Sequence, residues 1–234
     1  MWSSKRTFKK GIRHISLQLK FEDRLHAGNL LADKLYDRLK NIGVNHDNIL
    51  ILGIPRGGVI VGDIVAKKFS ADFDIIIGRK LGAPANDELA IGAVTEDGTA
   101  YINQYLIDAL RISEEYIETE KLKQANEIKR RKALYRKFND YNIQDRVAIL
   151  VDDGIATGAT TLAAARWTRK QRPMLLIVAV PVAPSQTLDI LKQESDAIEV
   201  VMVPSTFNAV GEFYENFDPV TDEQIIEIMR DRFA

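Results

Sequence analysis

Apolar residues along this chain gather into short, continuous, β-branched runs instead of alternating with polar ones. The runs are NILILGI (Asn48–Ile54), FDIIIG (Phe73–Gly78), RVAILVD (Arg146–Asp152), MLLIVAV (Met174–Val180) and IEVVMV (Ile198–Val203). Strands that are apolar on both faces are buried on both faces, as in a parallel sheet. Between the runs the period becomes helical, over Glu22–Lys40, Gly57–Phe69, Gly158–Lys170 and Pro184–Gln193. Strands alternating with helices predict an α/β fold, a parallel-sheet core with helices on both faces. Neither a repeat nor a low-complexity linker interrupts the pattern. One domain is therefore expected over residues 1–234, with its core over about 22–203.

Two segments depart from the alternation. GAPANDELAIGAVTEDG (Gly82–Gly98) is rich in glycine and acid. SEEYIETEKLKQANEIKRRKALYRK (Ser113–Lys137) reads as a long, mostly polar inserted helix. Ser113 can cap it, Glu114 and Glu115 fill its first turn, and it ends basic, an order that suits the helix dipole. Its apolar stripe is thin, with Leu122, Ala125, Ile128 and Tyr135. Such a helix is expected to pack over one edge of the domain or against a partner subunit.

Composition narrows the chemistry. Hydrophobic residues at 46% and charged residues at 28% are ordinary for a soluble globular chain. A formal net charge of −1 gives no strong grip on nucleic acid or on an acidic membrane, so neither is expected as a partner. The chain has no cysteine, which removes disulfides, thiolate metal sites and a cysteine nucleophile together. No apolar run approaches the ~20 residues of a membrane helix. The basic start MWSSKRTFKK lacks the apolar stretch of a signal peptide, and a cytoplasmic location is expected. His14, His26 and His46 are scattered without metal-ligand spacing, and Trp2 and Trp167 read as packing residues.

The strongest chemical signal is VAILVDDGIATGATTLAAA (Val147–Ala165). A buried run ends in two adjacent carboxylates, Asp152 and Asp153, where ligands bind in open α/β sheets. A small, hydroxyl-rich turn follows and enters a helix. Ala156, Thr157, Gly158, Ala159, Thr160 and Thr161 let the backbone close on an anion, and the first helical amides point at it. This describes a monophosphate cradle. It is no Walker A loop, because no lysine follows the glycine. The two acids suit sugar hydroxyls beside that phosphate, or the hydration shell of Mg²⁺. The structural alternative is that Asp153 caps the loop while Asp152 pairs with a nearby arginine.

ILVDDGIATGATT resembles the motif by which type I phosphoribosyltransferases bind 5-phosphoribosyl 1-pyrophosphate (PRPP). FEDRLHAG (Phe21–Gly28), GIPRGG (Gly53–Gly58), GRKLGAP with ELAIGAV (Gly78–Val94) and FNAVGEFYENFDPVTDEQ (Phe207–Gln224) are similar to blocks of one bacterial and archaeal subgroup. The likeness covers almost the whole chain. It implies Mg²⁺-dependent transfer of phosphoribose from PRPP to a nitrogen acceptor, a nucleobase or related heterocycle, with pyrophosphate leaving. Asp152 and Asp153 would hold the ribose hydroxyls and stabilise positive charge on the ring, and Ala156–Thr161 would hold the 5′-phosphate. Mg²⁺ would be held mainly through PRPP, with Asp152 and Asp153 as further ligands. The likeness assigns pyrophosphate to GIPRGG through Arg56, Gly57 and Gly58, with a cis peptide in that loop, and to Arg79 and Lys80 after the second strand. Gly82–Gly98 resembles a flexible loop that folds over PRPP, with Glu88 as a candidate contact. The C-terminal block, over about 204–234, resembles a small hood that holds the acceptor through Phe207 and the backbone around Val210. Phe213, Tyr214 and Phe217 suit a small core there, and TDEQ (Thr221–Gln224) suits a capping box for the last helix. Arg24 either points at the site or anchors an acid. Arg130 and Arg131 suit a solvated basic helix end better than a phosphate contact. A homodimer is the common assembly among similar enzymes. The alternative function is a regulator that senses PRPP or a nucleotide without turnover.

Overall fold

The computed structural model describes residues 20–44, 46–136 and 142–232. Trp2, His14 and Lys137 lie outside the described residues, as do the side chains of His46 and Glu88. Five parallel strands form the main sheet: β1 (Ile49–Gly53), β2 (Asp72–Ile75), β6 (Val147–Val151), β7 (Leu175–Val182) and β8 (Ala197–Met202), in the order β2-β1-β6-β7-β8. Each run read from the sequence contributes to one strand of this sheet, FDIIIG through its first three residues alone. Alternate residues feed opposite faces. Ile49, Ile51, Val147, Ile149 and Ile177 pack beneath helices α1 (Arg24–Asn41) and α2 (Gly57–Phe69), whereas Leu50, Leu52, Leu150, Leu176 and Val178 meet α5 (Ala159–Lys170) and α6 (Ser185–Leu191). Both faces are covered, which is why no polar alternation appears. Trp167 is buried in the second of these layers, as expected.

The run FDIIIG is not one strand. Strand β2 stops at Ile75, and the chain turns a corner with Ile76 and Ile77 fully buried. Gly78 then opens β3 (Gly78–Ala83), which pairs antiparallel with β4 (Asn86–Thr95), and β4 pairs with β5 (Ala100–Ile102). Burial was legible in the run, but a buried corner and a buried strand have the same composition. Gly82–Gly98, expected as a flexible loop, is thus mostly hairpin. Ala90 and Ala93 of β4 pack on Ala159 and Ala163 of α5, so the middle of the segment is a packed wall, and among the described residues the turns at 84–87 and 97–98 are exposed.

A short helix, α3 (Gln104–Leu110), leads into α4 (Glu114–Tyr135), capped by Ser113 through the Tyr116 amide as the sequence suggests. Helix α4 packs on β3 and β4 and on the last helix, α7 (Asp222–Arg232). Its buried face differs from the expected stripe. Leu122 is 69% exposed, and the face turned inward carries Ile117, Glu120, Gln124, Ile128 and Tyr135.

The C-terminal block joins the segment before α1. Phe21 bonds through its amide to the Phe213 carbonyl at 2.8 Å, and its ring packs with Phe213 and Tyr214. Thr221 and Gln224 exchange the two hydrogen bonds of a capping box. Helix α7 then turns back to bury Ile225 and Met229 in the main core, so only residues before about 218 form the small outlying cluster. Among the described residues no helix is long and apolar enough to cross a membrane.

Candidate functional site

Strands β1 and β6 are neighbours, yet the chain leaves them in opposite directions across the sheet. Such a switch point opens a crevice at the carboxyl ends of the strands. Here the crevice is a cavity of about 630 Å³. Two helices aim their N-termini into it. Helix α2 begins directly after the loop Ile54–Arg56, whose Pro55–Arg56 peptide is cis. Helix α5 begins after Gly158, whose φ of +77° is a left-handed conformation that favours glycine. No side chain caps either end, so their first amides remain available to an anion.

The loop before α5 is braced from behind. Thr187 donates to the Ala156 carbonyl at 2.6 Å, and Ile155 bonds to the Val182 carbonyl at 2.9 Å. Thr157, Thr160 and Thr161 line the cavity, and among the described residues their hydroxyls have no hydrogen-bond partner. Ala156, Gly158 and Ala159 complete that wall.

Asp152 and Asp153 stand between the two helix ends. The Asp152 carboxylate accepts from the Asp153 amide at 2.9 Å. Burial, and then the negative Asp153 beside it, push the Asp152 carboxyl well above the usual carboxylate range. Asp153 has a different environment. Arg24 donates to it from Nε at 2.8 Å, and both side chains are only 12–13% exposed. Arg24 also bonds to the Asp218 carbonyl and lies 4.0 Å above the Phe217 ring. The sequence left two roles open for Arg24, and the structure shows the second: it anchors Asp153, which lines the cavity, and is not itself a lining residue. The structural alternative considered for the doublet is inverted, since Asp153 rather than Asp152 holds the arginine. Tyr214 donates to the Asp153 carbonyl at 2.5 Å. Gly57 is required here, because a Cβ at that position would overlap the Asp153 carboxylate.

The opposite wall is basic. Arg56, Gly57, Arg79 and Lys80 all line the cavity, and Gly58 sits just behind, against Val151 and Asp152. Arg79 and Lys80 reach it from the start of β3 in the second sheet, rather than from the end of a parallel strand. Burial, with repulsion from Arg131 added, holds the Arg79 guanidinium below its ordinary pKa.

Near the hood, Val210 lines the cavity and Phe207 does not. The Phe207 ring stacks on Phe213 with centroids 5.1 Å apart, inside the outlying cluster. Phe217, assigned to packing from the sequence, supplies the aromatic surface of the cavity instead.

Helix α4 contributes a wall of which the sequence reading weighed Arg131 alone, and Arg131 lines the cavity instead of ending in solvent as that reading preferred. Glu120, Lys123, Gln124 and Arg131 line the cavity, with Asp87 from β4. Arg79 donates to Gln124 at 3.0 Å, and Gln124 donates to Glu120 at 2.6 Å. The available signal was a stripe spaced by three and four residues through Ile117, Glu120, Gln124, Ile128, Arg131 and Tyr135. Polar members within such a stripe are buried by contact with something polar. Among the described residues no group of three or more His, Cys, Asp or Glu is arranged to hold a metal ion.

The phosphoribosyl transferase domain model matches residues 20–217. Two relatives from strains of Mycobacterium tuberculosis, Rv0571c and MT0597, each named "Putative phosphoribosyl transferase", are 34% identical over 210 residues, 89% of this chain and 46% of the relative. The chain therefore spans about half the length of the curated relatives it matches. The crystal structure of TT1426 from Thermus thermophilus is 38% identical, covers 91% of this chain and 99% of its own, and superposes with a TM-score of 0.74.

Proposed function

The chain belongs to the phosphoribosyl transferase domain family, and on that premise we propose that it transfers the phosphoribosyl group of PRPP to a nitrogen acceptor, releasing pyrophosphate. One observation carries the proposal: two uncapped helix N-termini and a pair of carboxylates converge on one cavity, with basic side chains on the far wall. PRPP has the matching order of groups, with a phosphate at one end, two hydroxyls in the middle and a pyrophosphate at the other end.

In this reading Ala156–Thr161 binds the 5′-phosphate through the α5 amides and the three threonine hydroxyls. That anchor holds C1 in line for attack. Asp152 and Asp153 accept from the 2′- and 3′-hydroxyls. As the bond from C1 to pyrophosphate breaks, positive charge grows on the ribose ring, and the two carboxylates stabilise it electrostatically. Arg56, Arg79 and Lys80, with the amides at Gly57 and Gly58, take up the negative charge on the pyrophosphate. Val210 and Phe217 bound the end of the cavity where a flat nitrogen heterocycle meets C1, with Phe207 supporting that wall from behind.

Mg²⁺ fits this donor set as a companion of the substrate. Asp152 and Asp153 offer carboxylate oxygens, and the remaining ligands would be PRPP oxygens and water, which is the usual habit of this ion. Bound there, it supplies charge neutralisation to the pyrophosphate.

The test is pyrophosphate release from Mg²⁺ and PRPP with a panel of nucleobases and amines. Release with one acceptor is expected, and Asp152→Asn with Asp153→Asn should abolish it. Unchanged release in that double variant would sink the mechanism. Tight PRPP binding with no release from any acceptor would favour a sensing role over turnover.

A further inference from the structure

Helix α4 brings a third arginine to the basic wall. Arg56 stands before α2, Arg79 in β3 and Arg131 in α4, and all three line the cavity. They are close enough that Arg131 and Arg56 both repel the charge on Arg79. Among the described residues, neither Arg79 nor Lys80 has a carboxylate within ion-pairing distance. Arg79 is instead steered by the Gln124 amide. Arg56 faces Asp222 at 3.9 Å and Arg131 is paired with Glu127, so Arg79 is the member of the group without a matching acid, and a half-buried charge left so is one that an anion completes.

Arg131 differs from its neighbour in the chain. Its side chain is 13% exposed, and its Nε donates to Glu127 at 2.8 Å, leaving its terminal nitrogens for the cavity. Arg130 is 53% exposed, does not line the cavity, and spends its fork on Glu127 and Asp222. Glu127 thus fixes both guanidiniums, and its carboxyl is held down to about 2 by hydrogen bonds from Arg130 and Arg131. The acid stays ionised through any working pH and keeps Arg131 oriented.

We propose that Arg131, held in place by Glu127, is a further pyrophosphate-binding residue that grips the departing group together with Arg56 and Arg79. The assignment rests on reading this wall as the pyrophosphate end. When the C1–O bond breaks, its electron pair stays on the pyrophosphate oxygen while the acceptor nitrogen bonds to C1 and its proton leaves to solvent. The leaving group gains charge at that moment, and a planar guanidinium opposite it can donate two parallel hydrogen bonds. The inserted helix is then part of the binding machinery and not a decoration on the domain edge.

The experiment measures binding of inorganic pyrophosphate and of ribose 5-phosphate to the full chain by calorimetry in the presence of Mg²⁺. Arg131→Gln should weaken pyrophosphate about tenfold or more and leave ribose 5-phosphate unchanged, the loss expected for a charge-assisted hydrogen bond. Glu127→Gln keeps the arginine and loosens it, and should weaken pyrophosphate by a smaller factor. It also serves if Arg131→Gln fails to fold. Arg131→Lys should recover part of the loss, and Arg130→Gln should behave as wild type. Pyrophosphate binding that Arg56→Gln weakens but Arg131→Gln does not would overturn the inference and leave the pyrophosphate reading standing. Failure of the wild type to bind pyrophosphate at all would overturn both. Equal losses for both ligands in Arg131→Gln would also overturn the inference, since a general loss of fold or field does not distinguish the two anions.

Discussion

Asp152 and Asp153 are adjacent in the chain and opposite in their electrostatics. Asp153 has Arg24 at 2.8 Å, whereas Asp152 meets burial and a neighbouring negative charge. The raised pKa of Asp152 means that the folded state keeps its proton at pH values where the unfolded chain has lost it. Stability contributed by this group is therefore present below the ordinary carboxylate value and declines as pH rises towards the raised one. Asp152→Asn removes that decline. The variant should be inactive yet melt at a higher temperature than wild type at pH 7, with the difference vanishing only below the ordinary carboxylate range, at about pH 3. Asp153→Asn should instead lose about 1–3 kcal/mol, because it takes a charged partner from the largely buried Arg24. Thermal unfolding of both variants across this range checks the pair of signs. A melting temperature for Asp152→Asn that falls equally at all pH values would show that the carboxylate is a plain structural partner. The doublet was legible in the sequence as a candidate site, but this asymmetry was not. It comes from Arg24, 129 positions away from Asp153.

Helix α4 shows what changes at the scale of an element. Its ends were legible, because Ser113 and the acidic first turn are local signals. Its orientation was not. An apolar stripe through Leu122 and a mixed stripe through Glu120 and Gln124 are both possible faces of a helix, and the choice depends on what lies opposite. Opposite lie β3 and a basic cavity wall, so the polar stripe turns inward. Ile128→Ala should cost about 2–5 kcal/mol, the usual penalty for emptying a buried isoleucine site. Leu122→Gln should change stability by less than about 0.5 kcal/mol, as at other exposed positions. Urea unfolding of the two variants measures both. A large loss in Leu122→Gln would place that residue in an interface, as between two copies of the chain.

Across the whole molecule, two sheets must hold a fixed relation for their loops to share a cavity. Arg136 links them just after α4. It donates to Asp74 of β2 at 3.0 Å and 2.5 Å and faces Glu96, which follows β4 and also pairs with Lys132 at 2.9 Å. The Arg136 side chain is 1% exposed. Arg136→Ala leaves Asp74 as a largely buried acid without its cation, while Glu96 keeps Lys132, and should cost about 3–5 kcal/mol. Denaturant unfolding gives the loss, and PRPP affinity should fall with it if the sheets shift. A change within experimental error would mean that packing alone sets the relation of the sheets.

Local pattern was enough to specify the parallel-sheet core, the helices on its two faces, the acid pair and the two glycine-bearing loops that open α2 and α5. Those features depend on periodicity, on glycine and threonine at a strand end, and on adjacency in the chain. The second sheet was settled by long-range packing, since a buried corner at Ile76 and Ile77 has the composition of a strand. Packing also settled that Phe217 rather than Phe207 faces the cavity, that Arg24 meets Asp153, and that α4 turns Gln124 and Arg131 inward. Each of these is a contact between residues far apart in sequence. Side chains of one type can pack, pair or bind, and the surface brought against them by the fold selects among the three.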